Sequence, residues 1–296
     1  MAEDLYIDNF QSIRAGNNWY RNIQFLGKGG NGIALLVTCT GGKFKGGLFA
    51  LKLFYKISSD DRREKFLKEI QFMKNQYHSS LMKHYDEGEF KERPFVVMQY
   101  LPHTLWDEIK KGPISIGKGL VYALQLLSAL KELNEKEIVH RDIKPQNIFI
   151  NNYRAQLGDF GLIKNLKSDT DDPIEFNDYI AMPWYYRTPN LVAYSNGDDD
   201  LRLESDIFQL GLVLGHMFGG MNPLKEPEDK LDPIEIDKVG YIKGDYGTEI
   251  KSIIKDMIKI DIDDRITIDE ALNRFNIVFE KFSKRKLKLD GQLFES

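Results

Sequence analysis

The character of the chain changes near residue 100, and this change limits the fold more than any other feature of the sequence. Before it lie four short runs rich in Val, Ile, Phe and Tyr, as expected of neighbouring β-strands, and glycine clusters separate the first three. One helical segment interrupts them at about residues 60–77, where apolar residues recur three or four positions apart. The four strand-like runs are residues 19–26, 33–39, 48–55 and 94–100.

After residue 100, helical periodicity dominates, and two short strand-like runs interrupt it at residues 147–150 and 155–160. We therefore predict an α+β protein with a small β-rich lobe that contains one main helix, and a larger, mainly helical lobe. The predicted helices of the second lobe are residues 119–134, 205–218, 250–258 and 267–282. The predicted divisions are an extension (1–17), an N-terminal lobe (18–98), a hinge with a cleft beside it (99–102), a C-terminal lobe (103–282) and a tail (283–296).

Charge and cysteine content exclude several classes of protein. The formal net charge is −4, so no overall basic field favours nucleic acid or an anionic membrane. The single cysteine, Cys39, excludes an internal disulfide and any zinc site that needs two thiolates, and it suits a reducing, cytoplasmic compartment. The most apolar stretch, residues 207–221, is too short to span a bilayer and carries Gln209 and His216, so we expect a buried helix and no membrane span.

The most informative motif is the run His140–Asn147, in which polar and charged groups lie between an apolar helix and an apolar strand. A solvated surface turn would not need apolar flanks on both sides. Asp142 can accept a hydroxyl proton, and Lys144 can steady a phosphoryl group during transfer. Asn147 can bind a metal through its amide oxygen. We therefore expect phosphoryl-transfer chemistry in this loop.

A glycine-rich motif, residues 27–32, matches G-x-G-x-x-G and lies between two strand-like runs. Glycine allows backbone N–H groups to approach phosphate oxygens, but a hairpin turn without a ligand explains this motif equally well on its own. Strand–loop–strand order favours a cover over a nucleotide and disfavours a dinucleotide-binding fold.

Two further charged groups lie in apolar surroundings. Lys52 stands in a strand-like run, where a lysine is costly unless it is paired, and Glu69 on the next helix is the best-placed partner, with Glu64 as the alternative. Asp159 follows a buried strand and precedes Phe160 and a glycine, which suits a Mg²⁺ ligand, although a plain turn would use the same residues.

In this order and at these separations, the motifs resemble those of the eukaryotic-type protein kinase family over about residues 18–282. The resemblance implies ATP and Mg²⁺ (or Mn²⁺) as cofactors and proteins as substrates, with Lys144 typical of enzymes that phosphorylate serine or threonine. It implies that Asp142, Lys144, Lys52 and Glu69 are catalytic and that Asn147 and Asp159 hold the metal. It also implies that Met73, Phe160 and His140 stack as an internal spine anchored by Asp206. The implied nucleotide-binding residues are Leu26, Gly27, Lys28, Gly29, Gly30, Asn31, Gly32, Ala34, Ala50, Lys52, Met98, Gln99, Leu101 and Phe149.

The sequence departs from the family pattern after the last of these motifs. Asn190 stands where most members have a glutamate that pairs with a late arginine, here Arg265, and we expect its amide to accept a hydrogen bond instead. Met182 and Pro183 stand where many relatives have a threonine that hydrogen-bonds the catalytic aspartate and lysine. These departures make substrate docking the least regular part of the pattern.

The segment between Asp159 and Asn190 is where the family is usually switched by phosphorylation, which Arg141 would read. Three interpretations stay open. Asp178 could imitate a phosphate, the chain could phosphorylate itself, or the segment could be a solvated acidic loop without a switch. The candidate acceptors for self-phosphorylation are Ser168, Thr170 and Tyr179.

The sequence therefore predicts an ATP- and Mg²⁺-dependent serine/threonine protein kinase. The alternative from another class is a pseudokinase that binds nucleotide or partners as a scaffold, which the residues at 182–190 favour and the intact Lys52, Asp142, Asn147 and Asp159 disfavour. A small-molecule kinase of the aminoglycoside-phosphotransferase type would lack the segments around Asn190 and Asp206.

Overall fold

The computed structural model describes residues 11–29, 32–55, 60–167, 183–229 and 231–294, with the backbone alone for residues 60–65 and 287–294. The chain forms two compact units. The first comprises the residues up to Tyr77 together with Leu81–Pro102, and the second comprises His78–Ser80 together with the residues from His103 onward.

The first unit is a six-stranded antiparallel sheet with one helix, α1 (Asp60–Asn75). The strand order is β1-β2-β3-β4-β6-β5, so β6 pairs with β4 and β5 forms the edge of the sheet. Strand β1 lies inside the predicted 1–17 extension and pairs with β2. The strands are β1 (Ser12–Ala15), β2 (Asn18–Lys28), β3 (Gly32–Gly41), β4 (Leu48–Phe54), β5 (His84–Phe90) and β6 (Arg93–Gln99).

One face of this sheet forms the core of the first unit. Alternate residues of three neighbouring strands point into it, as the period of two in a strand requires. Tyr20 and Phe49 stack edge to face inside this core, with ring centroids 5.8 Å apart. The buried residues on this face include Ile33, Leu35, Val37, Phe49, Leu51, Leu53, Phe95 and Val97. The residues between them, among them Lys52, therefore lie on the opposite face.

The second unit is mainly helical, with short strands around the loop that carries Asp142. Strand β8 (Ile138–Val139) pairs with β11 (Lys164–Asn165), while β9 (Ile148–Asn151) lies between β10 (Arg154–Leu157) and β7 (His103–Thr104). The helices are α2 (Leu105–Ile109), α3 (Ile116–Glu135), α4 (Pro189–Asn196), α5 (Glu204–Gly219), α6 (Gly247–Met257) and α7 (Ile268–Phe294).

Helix α5 is buried along almost its whole length, which confirms the buried helix expected near residues 207–221. In the described part of the chain, none of the helices combines the length and apolar character needed to cross a membrane. The predicted α+β class, with a β-rich first part and a helical second part, is confirmed.

Candidate active site

Lys52 lies in the centre of the sheet of the first unit, on the face opposite the core. Its neighbours in β4, Leu51 and Leu53, are fully buried in the core, so the pleat directs Lys52 to the other side. Its Nζ lies 2.9 Å from Oε1 of Glu69, and the two side chains are 18% and 3% exposed. Glu64, the alternative partner, has no described side chain.

Helix α1 brings Glu69 to this position because its apolar stripe packs inward. Phe66, Ile70 and Met73 are buried, and Glu69 stands beside Ile70 at the edge of that stripe. The Lys52 ammonium also lies 4.9 Å from the ring centre of Phe54, which adds a cation–π contact. This largely buried charge is tolerated because it has both an ion-pair partner and an aromatic face.

The register of the sheet places several predicted nucleotide-binding residues on the face that carries Lys52. Residues directly opposite one another on paired strands share a face. Ala34 is opposite Lys52, Gly27 is opposite Ala34, and Ala50 is opposite Met98. The alternation of these short strands thus gathers residues from four strands on one surface.

Three other predicted binding residues of the first unit lie elsewhere. Gln99 is opposite Phe49, and its backbone N–H donates to the carbonyl of Lys83 at 2.9 Å. Leu101 is buried, and Leu26 is exposed.

The glycines of the 27–32 motif have different structural reasons. A Cβ on Gly32 would lie 2.2 Å from the carbonyl oxygen of Leu53, so close strand packing requires glycine there. Among the residues that the structure describes, a Cβ on Gly27 or Gly29 would meet no atom within 4 Å. Lys28 is exposed, and the Tyr55 hydroxyl donates to the Gly29 carbonyl at 3.2 Å. The packing of the chain therefore explains Gly32 and leaves Gly27 and Gly29 to be explained by something outside it. Gly30 and Asn31 lie outside the described residues.

Asp142, in the second unit, is buried and is contacted by two of the predicted site residues. Lys144 Nζ lies 2.8 Å and 2.9 Å from its two carboxylate oxygens. Asn147 Nδ2 donates to its Oδ2 at 2.7 Å and to its backbone oxygen at 2.9 Å. Burial raises the pKa of Asp142 to about 6, although Lys144 and Asn147 act in the opposite direction.

The backbone around Asp142 is held by the first turn of α5. The Asp206 carboxylate accepts hydrogen bonds from the N–H groups of His140 and Arg141, at 2.6 Å and 3.0 Å. Burial raises the pKa of Asp206 to about 7, and these two donors oppose the rise. Gln209, one turn later, also bonds this loop. In the sequence, Gln209 is recognisable only as a polar side chain in an otherwise apolar helix.

His140 is a neutral, packed residue in this loop. Burial lowers the pKa of its ring to about 4. The Asp142 N–H donates to its Nδ1 at 3.3 Å, which requires an unprotonated nitrogen there. Its ring packs against buried Phe160, with centroids 5.5 Å apart.

Asp159 follows β10 and is exposed, with a backbone φ of +60° that residues with a Cβ seldom adopt. Arg141 shares this conformation, with φ +67°, and its Nε donates to the carbonyl of Leu162 at 2.5 Å. Phe149 is half-buried on β9, opposite Gln156. Strained backbone at two residues with charged side chains is typical of functional sites.

Asn147 and Asp159 suit a Mg²⁺ ion in their donor chemistry. Asn147 directs its amide nitrogen to Asp142, so its Oδ1 is the atom that faces away from that bond. Asp159 contributes an exposed carboxylate. Oxygen ligands of these two kinds are the ones that Mg²⁺ prefers.

Arg265 joins α4 to the loop that precedes α7. Its Nη1 donates to Asn190 Oδ1 at 2.9 Å and to the Glu204 carbonyl at 2.8 Å. This confirms the expectation that the Asn190 amide accepts a hydrogen bond from Arg265. The guanidinium also lies 5.0 Å from the ring centre of Phe208, and burial lowers its pKa to about 10.

Part of the segment between Asp159 and Asn190 lies outside the described residues, namely Ser168, Thr170, Asp178, Tyr179 and Met182. In the described part, Thr188 Oγ1 accepts from the N–H of Leu191 at 3.0 Å and so begins α4. The same hydroxyl lies 2.7 Å from Ser205 Oγ. Pro183 is buried and has no side-chain donor.

Comparison with known proteins is consistent with this geometry. The model of the protein kinase domain matches residues 20–275. Cyclin-dependent kinase-like 2 of Rattus norvegicus is 28% identical over 219 residues, which are 73% of this chain and 41% of that protein. Cyclin-dependent kinase-like 4 of Mus musculus is 29% identical over 220 residues, 73% of this chain and 60% of that protein. The probable serine/threonine-protein kinase nek3 of Dictyostelium discoideum is 28% identical over 266 residues, 86% of this chain and 23% of that protein. The chain thus spans less than two thirds of the length of these relatives.

Proposed function

The chain belongs to the protein kinase domain family, and on this premise we propose that it is an active enzyme. It transfers the γ-phosphoryl group of ATP to serine or threonine hydroxyls of proteins, and its own segment between Asp159 and Asn190 is one substrate. A cytoplasmic location accompanies this proposal, since the lone Cys39 suits a reducing compartment.

The observation that carries the proposal is the group formed by Asp142, Lys144 and Asn147. A buried carboxylate whose pKa is raised to about 6 is a better proton acceptor than an ordinary aspartate. Asp142 orients the attacking hydroxyl and accepts its proton. Lys144, within 3 Å of that carboxylate, neutralises charge on the phosphoryl group as it moves.

Lys52 binds the α- and β-phosphates in this proposal, and Glu69 keeps its ammonium in place. Gly27 and Gly29 allow the backbone to approach the phosphates, and the sheet face that carries Ala34 and Ala50 contacts adenine. Asn147 and Asp159 hold Mg²⁺, which, when bound, supplies positive charge that draws electron density from the phosphates.

The preference for serine and threonine has two supports. Lys144 stands two residues after Asp142, the arrangement that resembles enzymes of this specificity. The relative from Dictyostelium is itself named a serine/threonine kinase. Labelling of tyrosine peptides in the experiment below would contradict this preference.

The experiment is labelling of a degenerate peptide mixture, with one central serine, threonine or tyrosine, by wild-type protein and by Asp142→Asn. We expect labelled serine and threonine from the wild type and none from the variant, which should still bind ATP in calorimetry because Asp142 does not hold the nucleotide. The matched control is Asp256→Asn, which removes a carboxylate paired with Arg274 at 2.8 Å in α6 and α7. Near-normal transfer by Asp142→Asn would refute its assignment as the base.

A pseudokinase is the second candidate, and Pro183 is the residue that favours it, because a hydroxyl is missing at that position. It predicts that the wild type binds ATP and labels no peptide. The same labelling experiment therefore decides between the two functions.

A further inference from the structure

The side chain of Gln209 holds three backbone groups from two separate segments. It is fully buried in the second turn of α5, three residues after Asp206. Its Oε1 accepts from the N–H of Ile143 at 2.9 Å. Its Nε2 donates to the carbonyl of Arg141 at 3.0 Å and to the carbonyl of Tyr186 at 2.9 Å.

Two of these bonds surround Asp142. The Arg141 carbonyl belongs to the peptide bond before Asp142, and the Ile143 N–H belongs to the peptide bond after it. One rigid amide group therefore fixes both peptide planes from which the Asp142 side chain projects. The constraint matters because Arg141 adopts a φ of +67°, a conformation that persists only where its surroundings hold it.

The third bond reaches the segment 183–188, which precedes α4. The two hydrogens of Nε2 are distributed between the two segments, so the orientation of the amide is fixed: an exchange of its oxygen and nitrogen would set an oxygen against two carbonyls. Pro183, in the same segment, has no hydroxyl with which to bond the loop of Asp142.

We propose that Gln209 is a positioning residue for phosphoryl transfer, which couples the backbone around Asp142 to the segment 183–188. This inference rests on the proposed function, in which Asp142 receives the hydroxyl proton. It adds that the segment 183–188 aligns the peptide that carries the hydroxyl. The coupling explains how the chain aligns a substrate without a threonine at position 183.

A purely structural role is the competing interpretation, since any buried amide with three partners stabilises its surroundings. Gln125 provides the matched control. It too accepts from one backbone N–H, that of Ala155 at 2.7 Å, and donates to one carbonyl, that of Tyr153 at 3.0 Å. Gln125 lies on α3, and these bonds reach only the turn after β9 and the start of β10.

The test compares Gln209→Met with Gln125→Met, because methionine nearly preserves the volume of glutamine and removes its hydrogen bonds. For Gln209→Met we expect kcat/KM for the serine and threonine peptides to fall by about 10- to 100-fold, as for a small misplacement of reacting groups. The KM for ATP should change by less than about threefold, because nucleotide binding needs neither segment. Hydrolysis of ATP by water should fall by less than peptide phosphorylation, because water needs the loop of Asp142 but not the segment 183–188. Gln125→Met should leave both reactions unchanged. An equal fall of the peptide and water reactions would overturn the proposal.

Hydrogen–deuterium exchange provides a second measurement that does not depend on activity. Gln209→Met should accelerate exchange both in residues 141–147 and in residues 183–188, and Gln125→Met only near residues 153–156. Unchanged exchange in residues 183–188 would overturn the coupling. If the wild type transfers phosphate to neither water nor peptide, the proposed function fails, and the exchange result still decides whether Gln209 links the two segments.

A second variant serves if Gln209→Met does not fold. Gln209→Glu keeps the acceptor for the Ile143 N–H. It replaces the amide nitrogen, which donates to two carbonyls, with an oxygen. It should show the same selective loss of peptide phosphorylation. A Gln209→Glu protein with wild-type kcat/KM for the peptides would contradict the role of the donor bonds.

Discussion

Asp142 keeps its carboxylate in surroundings that disfavour the charge. Burial raises its pKa from 3.8 to about 6, and the Lys144 ammonium 2.8 Å away lowers it by a smaller amount. An acid whose pKa is higher in the folded protein than in the unfolded chain binds its proton more tightly when folded. Ionisation of Asp142 therefore lowers the free energy of unfolding progressively as the pH rises from about 4 to about 6.

The titration of Asp142 gives a prediction at the scale of single residues. In the protein without nucleotide or metal, its carboxyl carbon should titrate near pH 6 in NMR. Lys144→Met should move the midpoint to higher pH, because it removes the cation that favours the carboxylate. Adding Mg²⁺ without nucleotide should move it to lower pH, because a cation held by Asn147 and Asp159 would favour the carboxylate. A wild-type midpoint near 4 would mean that water solvates the carboxylate.

At this scale, local spacing was sufficient to single out Lys144 and Asn147 beside Asp142, since all three lie within six residues. For Lys52 the sequence favours Glu69 over Glu64 as the partner, because Glu69 stands beside the apolar stripe of α1, and the ion pair confirms this. The role of Gln209 cannot be predicted from the sequence, because its three hydrogen-bond partners are backbone atoms. Backbone atoms are the same in every residue and leave no mark in a sequence.

At the scale of elements, the glycine motif between β2 and β3 combines two unrelated requirements. Gly32 has no room for a side chain because β4 passes too close, with Leu53 as the obstacle. A side chain at Gly29 would meet no described atom, so only a ligand would require glycine at this position.

This difference predicts that substitution by alanine lowers stability at Gly32 and weakens ATP binding at Gly29. Gly32→Ala should lower the free energy of unfolding by about 1–3 kcal/mol, as expected of overpacking. Gly29→Ala should change it by less than about 0.5 kcal/mol and weaken the binding of ATP, because a methyl group would stand where phosphate approaches. Chemical denaturation and calorimetry measure the two effects. Unchanged ATP affinity in Gly29→Ala would refute the phosphate-loop assignment.

The elements that the sequence revealed are those with strong periodicity. All six predicted strands and all five predicted helices exist, with ends displaced by a few residues, except that α7 continues to Phe294. Strand β5 was missed because its sequence, His84–Phe90, carries three acidic residues and none of its side chains is fully buried. Helices α2 and α4 were missed because each has fewer than nine residues, too few to show a period.

At the scale of the whole molecule, the change in sequence character near residue 100 was sufficient to predict the fold class. It did not reveal that residues 78–80 belong to the second unit. Their attachments are tertiary: His78 Nε2 lies 3.0 Å from Ser128 Oγ, and the Ser80 carbonyl accepts from Leu157 N–H at 2.9 Å. Such contacts depend on which distant segments meet, and periodicity contains no information about that.

Ligand binding predicts a change in the stability of the whole protein. At ATP concentrations about 100 times the Kd, binding should add about 2.7 kcal/mol to the free energy of unfolding, provided that the unfolded chain does not bind. We expect the increase in Tm to be larger with Mg²⁺ than with EDTA. Asp159→Ala should lose this dependence on Mg²⁺, as measured by thermal denaturation. An unchanged Mg²⁺ effect in Asp159→Ala would exclude Asp159 as a metal ligand.

The contact between Arg265 and Asn190 has a consequence for behaviour in acid. An amide neither gains nor loses a proton over the range in which proteins are handled, whereas a glutamate at this position would release the guanidinium once protonated. The other hydrogen-bond acceptors of Arg265 are backbone carbonyl groups, which are equally indifferent to acidity. The carboxylates of Glu204 and Asp261 add an attraction that acid does remove. The hydrogen bonds of this junction therefore keep their strength at low pH, and we expect acid unfolding to begin at contacts that depend on carboxylates.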